Sequence, residues 1–296
     1  MTPEEWWKNF ALGIEIDVAG TFIHNGIKAL HELSSLNHPV DSFEVLYNLS
    51  VGIERLLKVA IILIEHCDHI DMDQFEESLI SHNTIDLANR VNSQRNLQLS
   101  NIHKEFLSIL SKFYKTHRYG RYSLSAVPEI YEEKRLFLDF VVKHLKISLP
   151  IDDKFVQIPN TDQIRRFVGN VVKKICDELF HVVRQRAKEL NIYTAEIRGD
   201  SKALKIFYGE RLDFIDEQLK KKELLLFLMH PKSHGRHIDL LRSFDALKLD
   251  PYQTPKYIQA LLNDASLPYV EGQVDEAYTE VTNIRERLDF LKIVDE

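Results

Sequence analysis

Cysteine is nearly absent: Cys67 and Cys176 are the two in 296 residues. They form no C-x-x-C pair and cannot build a disulfide framework, so a reducing cytoplasm is expected. Glycine (10) and proline (9) are scarce, which disfavours a β-sandwich or barrel with its turn about every 8–12 residues. Long apolar runs are missing as well. A run such as Val59 to Ile64 is far shorter than the roughly 20 residues of a membrane span, and the opening MTPEEWWKNF has neither the basic region nor the apolar stretch of a secretion signal. Positive charge is in deficit, 38 Lys and Arg against 45 Asp and Glu for a net of −7, so a nucleic-acid site would have to be a local basic patch. The phosphate-cradling, zinc-protease, nucleophile-elbow and EF-hand signatures do not occur. A soluble protein without a metal or other cofactor is expected.

What is present is helical periodicity. Hydrophobic residues make up 44% of the chain, enough for a substantial core. Thr2 as cap, Pro3 at the first helical position and Glu4 and Glu5 behind it announce a helix start. Trp6, Phe10, Ile14 and Val18 then recur every four residues and predict a buried stripe, with some irregularity near Gly20 and Gly26. Residues 42–66 predict a core helix that is apolar nearly all round, interrupted on one side by Glu54, Arg55 and Lys58. Further helices are expected at 74–80, 101–114, 128–145, 162–190 (capped by Thr161 or Asp162), 201–229, 256–263 and 271–293. The fold class is therefore all-α: an antiparallel helical bundle followed by a second helical region. The proline-containing, acidic segment SLPIDDKFVQIPNTD is the expected boundary, giving a bundle over 1–147, a linker or crossing loop over 148–161 and a C-terminal helical domain over 162–296.

Three local clusters could carry chemistry. The first is HRYGRY, His117 to Tyr122. From Lys104 to Arg121 five cations (104, 112, 115, 118 and 121) face one acid, Glu105, a local reversal of the chain's sign. Arg118 and Arg121 can each hold a phosphate in a bidentate fork, Tyr119 and Tyr122 can stack on a base, and His117 can carry a proton. These four Arg and Tyr residues are the candidate ligand site, with His117 and Arg118 as candidate catalytic groups. The structural alternative is that the arginines cap a helix end and the tyrosines fill the core. The second cluster, HCDH at 66–69, lacks the paired spacing of a zinc site and reads as an acidic loop with Cys67 packed inward. The third, His230, His234 and His237, is interrupted by Pro231 and Gly235 and reads as a loop before the next helix. The mildly basic helix 162–190 is a solvated face that can extend a nucleic-acid surface.

With these residues in hand, the segment from about 41 to 125 resembles the HEPN domain family. GIERLLKVAIIL (52–63) resembles the family's central helix, with Glu54 and Lys58 one turn apart. SHNTIDLANRV (81–91) resembles its short His-x-x-x-x-Leu helix start, and FYKTHRYGRYSL (113–124) is similar to the Tyr-x-x-x-Arg-Tyr segment before its last helix. The resemblance implies an antiparallel four- or five-helix bundle, often dimeric. It also implies metal-independent endoribonuclease activity in phage-defence or toxin–antitoxin systems, or binding of nucleotides or partners without catalysis. Active members carry an Arg followed, after four to six residues, by a His, and no Arg here has a His at that spacing. The expected function is thus non-catalytic binding of RNA, nucleotide or a protein partner through the basic patch. The alternative is an endoribonuclease whose divergent site, with His117 and Arg118, forms at a homodimer interface.

Overall fold

The computed structural model describes residues 2–67, 71–117, 132–151, 158–192, 201–212, 214–262 and 267–292. All regular structure among them is helical, apart from one isolated bridge between Ser35 and Pro159. The all-α expectation holds at that level. No described helix is long and apolar enough to cross a membrane. Contacts divide the chain into two compact units, Met1–Asp213 and Phe214–Glu296.

In the first unit, α1 (Pro3–Trp6) runs through a π-helical turn (Trp7–Ala11) into α2 (Leu12–Glu32). Thr2 closes a capping box with Glu5, as the sequence announces. Next come α3 (Pro39–Glu65), α4 (Met72–Ser78), α5 (Thr84–Gln94) and α6 (Asn101–Lys112), which passes into a second π turn (Phe113–His117). Then come α7 (Glu132–Leu145), α8 (Asp162–Glu189) and the short α9 (Lys202–Tyr208). The central helix is α3, which packs against α2, α5, α6, α7 and α8. Leu46, Leu49, Ile53, Leu56, Leu57 and Ala60 on it are fully buried, as a helix apolar on all sides requires. Glycines let its neighbours approach: a Cβ on Gly52 would lie 2.8 Å from the Ala19 carbonyl oxygen and 2.9 Å from the Ile23 nitrogen of α2. A Cβ on Gly20 would meet the Ala203 Cα of α9 at 2.6 Å. Gly20 and Gly26 therefore mark close packing inside an unbroken α2.

The stripe expected to be buried at the N-terminus faces outward. Trp6, Phe10 and Ile14 are 55%, 48% and 62% exposed, while Leu12, Ile16, Ala19, Ile23, Ile27 and Leu30 form the core face. The reason is geometric. Steps of four advance about 40° around a helix each time, whereas alternating steps of three and four stay on one face.

The expected boundary at 148–161 lies inside the first unit. Residues 152–157 are outside the described residues, but the chain beyond them is tied down. Leu36 N–H donates to the Ile158 carbonyl (2.9 Å), and the Asn160 side chain donates to the carbonyls of Leu30 (2.6 Å) and Leu33 (3.0 Å). Helix α8, capped by Thr161, then buries Ile164, Val168, Val172, Ile175 and Val183 against α3, α6 and α7. The division falls at 213/214 because α8 and α9 complete the core built by α2 and α3.

The second unit holds α10 (Ile215–Met229), α11 (Arg236–Ser243), a 3-10 turn (Pro251–Gln253), α12 (Thr254–Leu262), α13 (Leu267–Tyr278) and α14 (Ile284–Lys292). The Arg242 guanidinium joins the end of α10 to α11 through the carbonyls of His230 (2.5 Å) and Ser233 (2.7 Å). Two helices expected to be continuous are divided. The one at 201–229 ends at Gly209 and restarts at Ile215, and the one at 271–293 is α13 and α14 separated by the turn at 279–283.

Candidate functional site

The polar interruption of α3 lies at the bottom of a cleft. Glu54 is on the core helix with only 9% of its side chain exposed, and a carboxylate so placed needs partners. Lys58, one turn on, donates to Oε1 at 2.6 Å, in the acid-before-base order that suits a helix. His82 supplies a second partner, its Nδ1 lying 3.1 Å from both Glu54 oxygens. The His82 side chain is 51% exposed, so one ring nitrogen meets the carboxylate while the ring borders the cleft.

His82 owes its position to the start of α5. Thr84 Oγ1 donates to the Leu107 carbonyl of α6 (2.7 Å), and Ser111 Oγ bonds the Asn83 side chain. These bonds fasten the segment before α5 to the helix that ends in the second π turn. That turn presents Tyr114, whose ring lies 4.7 Å from the His82 ring at 37°. The first π turn presents Trp7 on another wall. Both aromatic walls therefore come from π turns, a local geometry that recurs at functional sites. Arg55, bound to Glu15 at 2.5 Å and lying 6.0 Å from the Phe22 ring, edges the same cleft.

The cleft measures about 420 Å³, within the range of small-ligand sites. Its charges come in compensated pairs, Glu54 with Lys58 and His82, and Glu15 with Arg55. Lys115 directly follows Tyr114 in the chain and is exposed. The arrangement offers an aromatic stacking surface, a carboxylate-oriented imidazole and an adjoining cationic segment.

Of the residues singled out in the sequence, Arg118, Tyr119, Arg121 and Tyr122 lie outside the described residues, and only the backbone of His117 is described. The basic run is neutralised at Lys112, which donates to Glu132 at 2.5 Å; its one acid, Glu105, is taken up by Lys143 (2.8 Å) and His144 (2.8 Å) from outside the run, and Lys104 and Lys115 are exposed. The reading of HCDH needs correction at Cys67, which is exposed. The inward residue is His66, packed against Trp7 and Phe75 with Nε2 3.1 Å from the Met72 sulfur. Cys176 is wholly buried, and burial pushes its thiol far above the ordinary range, making it a core residue rather than a nucleophile. His230, His234 and His237 do not converge: His230 ends α10, His234 faces Asp239 at 3.6 Å, and His237 lies in the first turn of α11. Among the described residues no group of three His, Cys, Asp or Glu is gathered as a metal site. On α8, Lys173, Lys174 and Arg186 pair with Asp177, Glu178 and Glu189 of the same helix, and the face is docked rather than solvated: Lys173 and Arg186 also donate to the carbonyls of Ile206 (3.3 Å) and Leu63 (3.1 Å), and Glu178 accepts the Gln98 N–H (2.8 Å).

Trp7, Glu15, Glu54, Arg55, Lys58, His82 and Tyr114 are cleft residues that the sequence reading did not place in a site. The available signal was the polar interruption of an otherwise apolar helix by Glu54, Arg55 and Lys58. Compared with protein-family models, with curated proteins and with solved structures, the chain matches none of them.

Proposed function

We propose that this is a HEPN-like helical protein that binds RNA or a nucleotide without cleaving it, at the Tyr114 rim of the cleft and the basic segment that follows. One observation carries the reading. The three segments with the resemblance (52–63, 81–91 and 113–124) contribute Glu54 and Lys58, His82, and Tyr114 to a single cleft. In this reading a base stacks on Tyr114 and His82, while Lys115, Arg118 and Arg121 hold the phosphates. A role in phage defence or a toxin–antitoxin pair accompanies the resemblance.

The test is fluorescence anisotropy with a labelled single-stranded RNA and with ATP, at increasing salt. Affinity is expected to fall as salt rises, and replacing Arg118 and Arg121 by Ala should lower the salt slope by about 1–2. Tyr114→Ala should cost about 1–3 kcal/mol of RNA binding. Binding that neither change alters would overturn the site.

The Glu54–His82 geometry favours a second reading, in which the bound RNA is cut. A carboxylate that fixes an imidazole is the arrangement of a general base, so His82 would take the proton of the ribose 2′-OH as that oxygen bonds to the adjacent phosphorus. The P–O5′ bond breaks to leave a 2′,3′-cyclic phosphate, and the 5′-oxygen departs as a hydroxyl with a proton from solvent. Incubation with cellular RNA in EDTA separates the two readings: cleavage by the wild type that disappears in His82→Ala selects the second, and intact RNA selects the first.

A further inference from the structure

The C-terminal end of α10 leaves its apolar side chains in water. Leu224, Leu226, Phe227, Leu228 and Met229 are between 47% and 68% exposed, and Leu225 among them is partly covered. At about 100° per residue these side chains point to every side of the helix, so they form a girdle rather than a stripe. The helix packs against α12, where Leu261 is exposed and Lys221 reaches the Leu262 carbonyl at 3.4 Å. An exposed apolar patch of this kind marks an interaction site, and a helix apolar all round otherwise belongs inside a core or a membrane.

Charge narrows the choice of occupant. From Gln218 to His237 five cations (220, 221, 222, 232 and 236) stand against one acid, Glu223, in a chain of net −7. All five are exposed, and none pairs with a carboxylate among the described residues, whereas Lys173, Lys174 and Arg186 of α8 each have one. Nearby, α12 adds Lys256 and no acid, and Asp239, the one acid of α11, faces His234. The three lysines precede the girdle while Lys232 and Arg236 follow it, so cations bracket an apolar band about 9 Å long.

A nucleic-acid strand would use the cations and leave the leucines in water. A protein groove reads one row of anchors at i, i+3 or i+4 and i+7. An anionic bilayer surface uses both features. A helix about 10 Å across, lying in the headgroup plane and sunk about 5–10 Å, touches acyl chains over most of its girth. The bracketing Lys and Arg stems then reach lipid phosphates on either side. We infer that the end of α10 and the turn into α11 form a peripheral binding site for anionic phospholipid membranes. The inference is independent of what the cleft binds.

Co-sedimentation of the full chain with vesicles tests it, using phosphatidylcholine alone and phosphatidylcholine with about 30% phosphatidylserine. Binding is expected to be at least about tenfold tighter on the anionic vesicles and to fall as salt rises. Replacing Lys220, Lys221 and Lys222 together by Gln should weaken it about a hundredfold, at about fivefold per lysine. Phe227→Ser with Leu228→Ser should weaken it at least about tenfold with an unchanged circular-dichroism melt, because both positions are exposed. In a Cys67→Ser background, with Cys176 buried, Leu226→Cys carrying an environment-sensitive dye should shift its emission to the blue on the anionic vesicles. No binding, or equal binding to both kinds of vesicle, overturns the inference, and so does a dye whose emission stays where it is. Loss of RNA binding in the lysine variant, with vesicles left unbound by the wild type, would assign the surface to nucleic acid instead.

Discussion

At the scale of single residues, the environments of the titratable groups set the chain's response to pH. His103 is the clearest case. Its Nδ1 accepts the Ser100 backbone N–H at 3.2 Å, closing the cap of α6, so the bond requires that nitrogen to be unprotonated. Burial, aided by the positive charge of Lys174, lowers the His103 pKa. A histidine with a depressed folded-state pKa contributes stability above its unfolded value, near 6.5, and loses it as pH falls through the window below. Stability measured by urea unfolding should therefore decline as pH falls below about 6.5. His103→Gln keeps a capping acceptor that does not titrate and should flatten that slope; an unchanged slope would assign the dependence to other groups. Glu105 and Glu178 do not confuse the window, whereas burial raises the Asp41 pKa toward it and gives a contribution of the opposite sign. Burial opposes the ionised forms of Glu105 and Glu178, but hydrogen bonds from Lys143 and His144, and from Lys174 and the Gln98 N–H, outweigh it and hold both acids below the ordinary range. Their contribution is lost only as pH falls through those lower values.

At the scale of elements, helix identity was legible because it is local. The periodicity of α3 and α8, the Thr2 and Thr161 caps and the scarcity of turn residues all act within a few positions, and the structure follows them. The choice between two apolar rows on α2 is not local, since Leu12 and Ile16 face α3 while Trp6, Phe10 and Ile14 do not. The cleft was half legible. Glu54, Arg55 and Lys58 announce themselves as polar intruders in a core helix, but their meeting with His82, 28 positions on, and with Tyr114 depends on how α5 and α6 dock. Docking in turn depends on small residues at crossings, where the cost of error is high. Gly52→Ala would press a methyl group onto the α2 backbone at 2.8–2.9 Å, contact that side-chain motion cannot relieve. A loss of about 1–3 kcal/mol is expected, read as a lower urea midpoint with unchanged helical signal.

At the scale of the whole molecule, the two units differ in how much they bury. Nearly all the buried apolar side chains belong to the first, whereas the described residues of the second contribute only Phe214 and Ala260. A unit of about 80 residues with so little core is marginal on its own. Residues 1–213 expressed alone should melt cooperatively within a few degrees of the full chain, and residues 214–296 alone should show no cooperative transition by circular dichroism. A sharp melt of the short fragment would contradict this.

The first π turn also bears on how such a chain can change by descent. It accommodates a residue more than an α-helical path would hold, so α2 beyond it keeps its inward face while the side chains at the turn are re-aimed. Loss of one codon at Trp7–Ala11 would thus alter an aromatic wall of the cleft and leave the core register of α2 as it was. Among descendants of a common ancestor, this turn is where single-residue length differences should collect, and with them differences in what the cleft admits.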